Sequence, residues 1–332
     1  MNLQQRKALL VRLGNYIKTN DAAWEEAKQK AFALNPWFIP EFINLAGNNI
    51  SEDYLQPAQL DHLINKYELK DPGPEQKKIG IVMAGNIPLV GFHDFLCVFL
   101  SGHIAVIKTS SKDEILLPFL IEKMKEWDVE AGELAIISPM IKNCDAYIAT
   151  GSNNSSRYFE YYFSRYPHII RKNRTSVALL TGNESREALE KLADDVYLFF
   201  GLGCRNVTKI FVPQGYDFIA LLQAFKKYNY LADHNKYRNN YDYNLALLML
   251  NKQYYMSNES ILLVEDKNPF SRISQLHYEF YTDEKTVIDQ LKNNETIQCI
   301  VGSGKTGFGQ AQTPGICDFA DGTDTMNFIR NL

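Results

Sequence analysis

The chain has 332 residues, 45% of them apolar and 22% charged, a composition that can bury one large or two modest cores and is not that of a disordered segment. A net charge of −4 offers no global attraction to nucleic acid or anionic lipid, and no run of about 18 apolar residues is present to form a spanning helix. Cys97, Cys144, Cys204, Cys299 and Cys317 are odd in number, scattered and free of CxxC spacing, which predicts a reducing, cytoplasmic setting with neither a disulfide framework nor a metal site.

The N-terminal stretch MNLQQRKALLVRLGNYIK is a charged amphipathic pattern rather than a signal peptide. Helical periodicity continues to about Leu69, broken at LNPWFIP and NNISED, and KDPGPEQKK then reads as a charged, proline-rich linker. Beyond it, apolar β-rich runs alternate with helical stretches: IGIVMAG before a helix over 88–100, IAVIKTS before 114–127, LAIISP, DAYIATG before 152–163, and SVALLTG before 186–199. The series continues with VTKIFVP, SILLVED, LHYEFYT and IQCIVGSG. Short buried strands alternating with helices predict an α/β fold, a parallel sheet covered on both faces.

Ligands of open parallel sheets sit at the carboxyl ends of the strands, so chemistry is sought where the strands exit. The informative exits are AGNIP, IKTSSKD and ATGSNNSS, together with GLGC, into which the helix before VTKIFVP runs. Cys204 lies on this last turn between Gly201 and Gly203, where a helix ends and a strand begins. A thiol so placed, with glycines that let a substrate approach the backbone, can attack a carbonyl. The plainer alternative, a buried cysteine acting as a small hydrophobe, suits Cys97, Cys144 and Cys299, which lie in apolar or strand-like contexts.

AGNIPLVGFHDFLCVFLSGHIAVIKTSSKD, IATGS and GLGC stand in the motif order of the aldehyde dehydrogenase superfamily. With GNIPLVGFHD, GLGCRNV and the late DFADGTDTM, the chain resembles the LuxC-like acyl-CoA reductases within it. The resemblance runs from about Ile79 to Val212 and weakly to the C-terminus; the chain is shorter than typical members and shows no clear oligomerisation hairpin before AGNIP. It implies an aldehyde dehydrogenase-like fold: an N-terminal helical segment over 1–70, a Rossmann-type NAD(P)-binding domain over 71–183, an α/β catalytic domain over 184–316 carrying the cysteine, and a tail over 317–332. The activity it implies is reduction of an acyl-CoA to an aldehyde with NADPH, NADH being the other cofactor open. A homo-oligomer and an acyl-transferring partner protein are both open as partners.

The resemblance makes Cys204 the nucleophile and gives Asn86, with the Cys204 backbone N–H, the oxyanion; taken alone, Asn86 is a turn residue or helix cap. Lys108, Ser110, Ser111 and Lys112 become cofactor contacts, against the reading of a solvated lysine beside a helix cap. NAD-preferring relatives often carry a glutamate near the position of Ser111; serine next to Lys112 removes its repulsion of a 2′-phosphate. Gly151 and Ser152 match the glycine-serine pair bordering the nicotinamide, although GS alone is no more than a helix N-cap. His93 is a candidate acid or base whose ordinary reading is a packed, hydrogen-bonded histidine.

Hydrolytic relatives carry a water-activating glutamate at a place that falls here on Ile170, and no acid lies between His168 and Thr181. An acyl-enzyme discharged by a thiol needs no such base, which points to a coenzyme A thioester. VGSGKTGFG fails the phosphate-loop spacing, since Cys299 stands where the glycine five residues before Gly304 is required, and it reads instead as a turn lining the cleft. Asp318, Asp321 and Asp324 have calcium-like intervals but read better as a turn with an N-cap. Arg171, Lys172 and Arg174 form a basic cluster that either attracts phosphates or is a solvated loop face. A CoA-independent aldehyde dehydrogenase, an ATPase built on GSGKT and a non-catalytic acyl-binding or acyl-transfer subunit are the rival functions.

Overall fold

The computed structural model describes residues 1–71, 75–302 and 306–332, Asn153 by its backbone alone. Positions 72–74 of the expected linker and 303–305 of the glycine-rich run, Gly304 among them, lie outside the described residues. The chain forms two compact units, one from 1–173 with 314–332 and one from 174–313.

The first unit opens with helices α1 (Leu3–Ile17), α2 (Ala22–Leu34) and α3 (Pro40–Asn49), the last running into a π-helical stretch, Ile50–Tyr54, and then α4 (Pro57–Tyr67). Asn2 and Gln5 form a capping box on α1, and Asp21 caps α2, so these starts are specified by local chemistry. Next come β1 (Lys78–Val82), α5 (Phe92–Ser101), β2 (Ile104–Lys108), α6 (Leu116–Trp127), the short α7 (Ala131–Leu134), β3 (Ala135–Ile137), β4 (Ala146–Thr150), α8 (Asn153–Phe163) and β5 (His168–Arg171). The strands are all parallel in the order β3-β2-β1-β4-β5. Chain direction across the sheet therefore reverses between β1 and β4, the switch point at which doubly wound sheets bind ligands. Leu10, Leu13, Trp24 and Phe38 of the N-terminal region share one core with Phe95, Phe99, Ile79 and Ile107. Helix α5 is apolar nearly all round and buried along its length, as a helix inside a core must be.

The second unit contains β6 (Thr175–Leu179), α9 (Arg186–Tyr197), β7 (Val207–Pro213), α10 (Phe218–Phe225), α11 (Asn235–Leu250), β8 (Met256–Ser257), β9 (Leu262–Glu265), β10 (Gln275–Tyr281), α12 (Glu284–Lys292) and β11 (Ile297–Val301). Its sheet has the order β11-β6-β7-β10-β9-β8, parallel except for the antiparallel pair of β8 with β9. The tail, with α13 (Thr325–Arg330), belongs to the first unit, where Ile316, Phe319, Met326 and Ile329 enter its core.

The fold is the expected α/β class, with one sheet in each unit. The helix expected over 88–100 begins at Phe92, because 88–91 form a turn with Leu89 at φ +56°. Strand β5 carries no distinct signal: it is four residues long, and its ends, His168 and Arg171, are polar and charged. The compact units divide at 173/174 and 313/314, while the expected domain boundaries are 70/71, 183/184 and 316/317.

Candidate active site

In the first unit, the exits of β1, β2 and β4 lie side by side at the carboxyl edge of the sheet, since Val82 pairs with Lys108 on one side and Ala149 on the other. Asn86 is half-buried on the turn after β1. That turn is pinned to the segment after β2: the Met83 N–H donates to the Lys108 carbonyl at 3.0 Å, and a Cβ on Gly85 would lie 2.7 Å from the Ser110 side chain. Only glycine allows this approach. Lys108, Ser111 and Lys112 are exposed, whereas Ser110 is half-buried with its Oγ accepting from the Lys112 N–H at 3.2 Å. Asp113 is buried, accepts from the Leu89 N–H at 2.9 Å, and is pushed up to about 6 by desolvation.

Gly151 and Ser152 occupy the exit of β4, the Gly151 N–H donating to the Arg171 carbonyl at 3.3 Å. Ser152 is the N-cap of α8, its Oγ accepting from the Ser155 N–H. A Cβ on Gly151 would fall 2.8 Å from the Phe159 ring and 2.9 Å from Ser155 Cβ, so glycine is required for α8 to fold back on its own strand exit.

His93 stacks between Tyr54 and Phe319, at centroid distances of 4.8 and 5.3 Å, and its Nε2 is 2.9 Å from the Ile316 carbonyl. This is the packed, hydrogen-bonded arrangement, and it fastens the tail. Arg171 of the basic cluster is buried as well: it forks onto Asp94 (2.7 Å) and donates to Thr325 Oγ1 and the Ala320 carbonyl. Lys172 pairs with Glu160 at 2.8 Å. Asp324 caps α13 and accepts from the Tyr67 hydroxyl. Among the described residues no group of three or more His, Cys, Asp or Glu is arranged to hold a metal ion.

Cys204 belongs to the second unit, half-buried on a turn just ahead of β7, and so at the amino edge of its sheet rather than at a strand exit. What holds it is local. After α9 the chain passes through Phe199, Phe200 and Gly201, all at positive φ (55°, 56° and 73°). Two consecutive phenylalanines in the left-handed region cost on the order of 1–2 kcal/mol each, so the surroundings must over-determine them. The fully buried Asn206 does this: its Nδ2 donates to the Leu198 carbonyl at 2.8 Å and the Asp195 carbonyl at 3.1 Å, while its Oδ1 accepts from the Gly203 N–H at 2.8 Å. From β6, Ser176 donates to the Cys204 carbonyl at 3.0 Å, and the Cys299 sulfur lies 3.0 Å from the same hydroxyl. Asp195, also fully buried, accepts from the Gly309 and Ala311 N–H groups at 2.6 and 2.9 Å, tying the glycine-rich segment to α9. Desolvation pushes its carboxyl up to about 6.

Burial raises the thiols of Cys97, Cys144 and Cys299 above the ordinary cysteine value, which holds them in the unreactive protonated form. No disulfide joins any of the cysteines. Glu279 of β10 is ion-paired at 2.5 Å with the buried Lys209. A cavity of about 350 Å³ lined by Thr181, Gly182, Pro213 and Tyr216 opens at the carboxyl edge of the second sheet, the edge opposite Cys204.

Residues 51–224 match the family described as acyl-CoA reductase (LuxC). The chain belongs to that family. Membership makes it an oxidoreductase of the aldehyde dehydrogenase and acyl reductase class. Similar solved structures include an oxidoreductase from Marinobacter aquaeolei, 12% identical with a TM-score of 0.70, covering 91% of this chain and 73% of that one. Succinic semialdehyde dehydrogenase from Streptococcus pyogenes, solved with NADP⁺, is 14% identical with a TM-score of 0.65, covering 90% and 76%. Indole-3-acetaldehyde dehydrogenase from P. syringae, solved with NAD⁺, is 12% identical with a TM-score of 0.66, covering 91% and 72%. This LuxC-family chain thus has the aldehyde dehydrogenase fold. No curated protein matches it significantly. Among the described residues no helix is long and apolar enough to cross a membrane.

Asn206, Ser176, Asp195 and Asp113 carry no separate signal in the sequence. Asn206 alone had a local hint, an asparagine two residues after the cysteine on a glycine turn.

Proposed function

We propose that the chain reduces an acyl-CoA thioester, a fatty one being the best candidate, to an aldehyde with NADPH through an acyl-enzyme on Cys204. The observation that carries this is the turn presenting Cys204, which follows two left-handed phenylalanines held by Asn206 and is itself bonded to Ser176, while burial keeps Cys97, Cys144 and Cys299 as thiols. Strain maintained around a half-exposed thiol is the mark of a working site.

The Cys204 thiolate attacks the thioester carbonyl and forms the carbon–sulfur bond, and the bond to coenzyme A breaks as that thiol leaves as a thiolate. Asn86 and the Cys204 N–H are assigned to the oxyanion of the tetrahedral intermediate, a contribution of about 3–4 kcal/mol where one such donor is removed. With no carboxylate between His168 and Thr181, and with Arg171 consumed by Asp94, nothing in that stretch activates water, so a thiol is the natural second acceptor of the acyl group.

The residues at the switch point fit a nicotinamide dinucleotide: parallel exits converge there, exposed Lys108, Ser111 and Lys112 can take ribose and phosphate oxygens, and α8 begins at capped Ser152. When bound in reduced form, that cofactor supplies the hydride that converts the acyl-enzyme to a thiohemiacetal, whose collapse frees the aldehyde and the Cys204 thiol. Ser111 carries no charge to oppose a 2′-phosphate and Lys112 attracts one, which favours NADPH over NADH.

Incubation with acyl-CoA in the absence of cofactor tests the proposal. A persistent acyl-enzyme is expected that free coenzyme A discharges and water scarcely does, and that is lost in Cys204→Ala but kept in Cys97→Ala. Rapid formation of carboxylic acid without coenzyme A would refute it in favour of a hydrolytic aldehyde dehydrogenase. Labelling of Cys204 with no NADPH-dependent turnover would make the chain an acyl-transfer subunit.

A further inference from the structure

We infer that Asp113 is a positioning residue that sets the loop bearing Asn86, through its bond to the backbone of Leu89. It rests on the assignment of Asn86 to the oxyanion. The evidence lies wholly within the first unit. Between β1 and α5 the chain is fastened to the end of β2 and the segment after it at successive points: Met83 N–H to the Lys108 carbonyl, Gly85 against Ser110, and Leu89 N–H to Asp113 Oδ2. Asn86 falls between the second and third points, so removing the third loosens the loop on the α5 side of the asparagine.

The third point also holds the least favourable backbone of the loop. Leu89 is at φ +56° with its side chain buried, a conformation that leucine adopts only under constraint. A charge-assisted bond from its N–H to a desolvated carboxylate is the strong kind of constraint. The carboxyl group is 8% exposed, has no cation paired with it among the described residues, and has no partner of normal geometry for its Oδ1, so the Leu89 N–H is its clearest compensation for burial. Asp113 is itself presented by the turn that carries Ser110, Ser111 and Lys112, its N–H donating to the Ser110 carbonyl at 2.9 Å. One carboxylate therefore joins the segment assigned to the cofactor and the loop assigned to the oxyanion.

The simpler role, capping the start of α6, predicts different behaviour, and the test separates the two. The readout is cofactor-free acylation of Cys204, followed as release of the coenzyme A thiol in a single turnover, which leaves the nicotinamide out of the measurement. Asp113→Ser keeps a small oxygen suited to capping but is about an ångström too short to reach Leu89. It is expected to slow acylation by about tenfold or more, since small misplacements of catalytic groups have effects of that size. Asp113→Asn, which retains an oxygen for the Leu89 N–H, is expected to restore the rate to within about threefold of wild type. Asn86→Ala should slow acylation by about a hundredfold, and Asn86→Ala/Asp113→Ser should be no slower than Asn86→Ala alone, because both act on one oxyanion. Losses that multiply in the double variant would overturn the inference while leaving Asn86 in its role. An Asn86→Ala enzyme that acylates normally would overturn the oxyanion assignment itself, and the inference with it.

Discussion

Asn206 is the residue on which the geometry of the cysteine turn most depends, and replacing it should be costly in a specific way. Its side chain is fully buried and makes short bonds to the Leu198 carbonyl, the Asp195 carbonyl and the Gly203 N–H, with a longer contact to the Val196 carbonyl at 3.4 Å. At a net value of about 1 kcal/mol for each good hydrogen bond, and more where a buried group is left unpaired, Asn206→Ala should destabilise the protein by about 3 kcal/mol. With a urea m-value of about 2–3 kcal/mol/M, the unfolding midpoint moves down by about 1 M. The informative partner is Asn206→Asp, identical in shape. It keeps the oxygen that accepts from Gly203 but turns a second oxygen towards the Leu198 and Asp195 carbonyls, where acceptor meets acceptor. Asp should therefore be at least as harmful as Ala, although it is the closer mimic. In folded samples of both variants the alkylation rate of Cys204 should change, since Phe199 and Phe200 are released from their left-handed conformation. Urea unfolding and alkylation kinetics measure the two effects. An Asn206→Asp protein with wild-type stability would refute the reasoning, because it would mean the donor half of the amide does not hold this turn.

The ion pair between Asp94 and Arg171 should behave as a buried pair: Asp94→Ala leaves an uncompensated guanidinium that is 3% exposed and should cost about 3–5 kcal/mol, measured by urea unfolding, with earlier proteolysis of the tail that Arg171 and Thr325 anchor. Replacing both members by apolar residues, Asp94→Leu with Arg171→Met, should cost less than Asp94→Ala. Asp195 carries a pH signature. Its folded-state value, about 6, lies above the ordinary carboxyl value, so the folded state holds more protons than the unfolded state between about pH 4 and 6. The stability of wild type relative to Asp195→Asn should therefore fall as pH rises through that window, by up to about 3 kcal/mol, and be flat on either side. A difference that rises with pH in that range would contradict desolvation as the dominant influence on this carboxyl group.

Much of the molecule was legible locally. Alternating apolar runs and helical periods identified most of the strands because strand and helix periods are properties of neighbouring residues, and VTKIFVP became β7 over the predicted span. Arg186 opens α9 behind a serine cap, and the 152–163 helix begins behind Ser152, again as local chemistry predicts. The glycine turn singled out Cys204, and the order of motifs pointed to the family. Pro88 misled, since proline opens helices but also fits a turn, and the choice was made by Leu89, Asp113 and the packing of Gly91 against Met83.

What the sequence by itself determined is the class of fold, the position of the glycine turn that carries Cys204 and the residues available at each strand exit, because propensity, period and turn chemistry act over a few residues. The tertiary structure alone decided which exits became neighbours, since the order β3-β2-β1-β4-β5 follows from how strands pack and not from any one of them. It also decided that Arg171 is the internal partner of an aspartate 77 residues away rather than a phosphate ligand, that Asn206 turns its amide inward onto the backbone of its own turn, and that Asp113 accepts from the backbone of Leu89 in a separate loop. Buried polar groups must find partners wherever the fold brings them, and no local pattern records which partner that is.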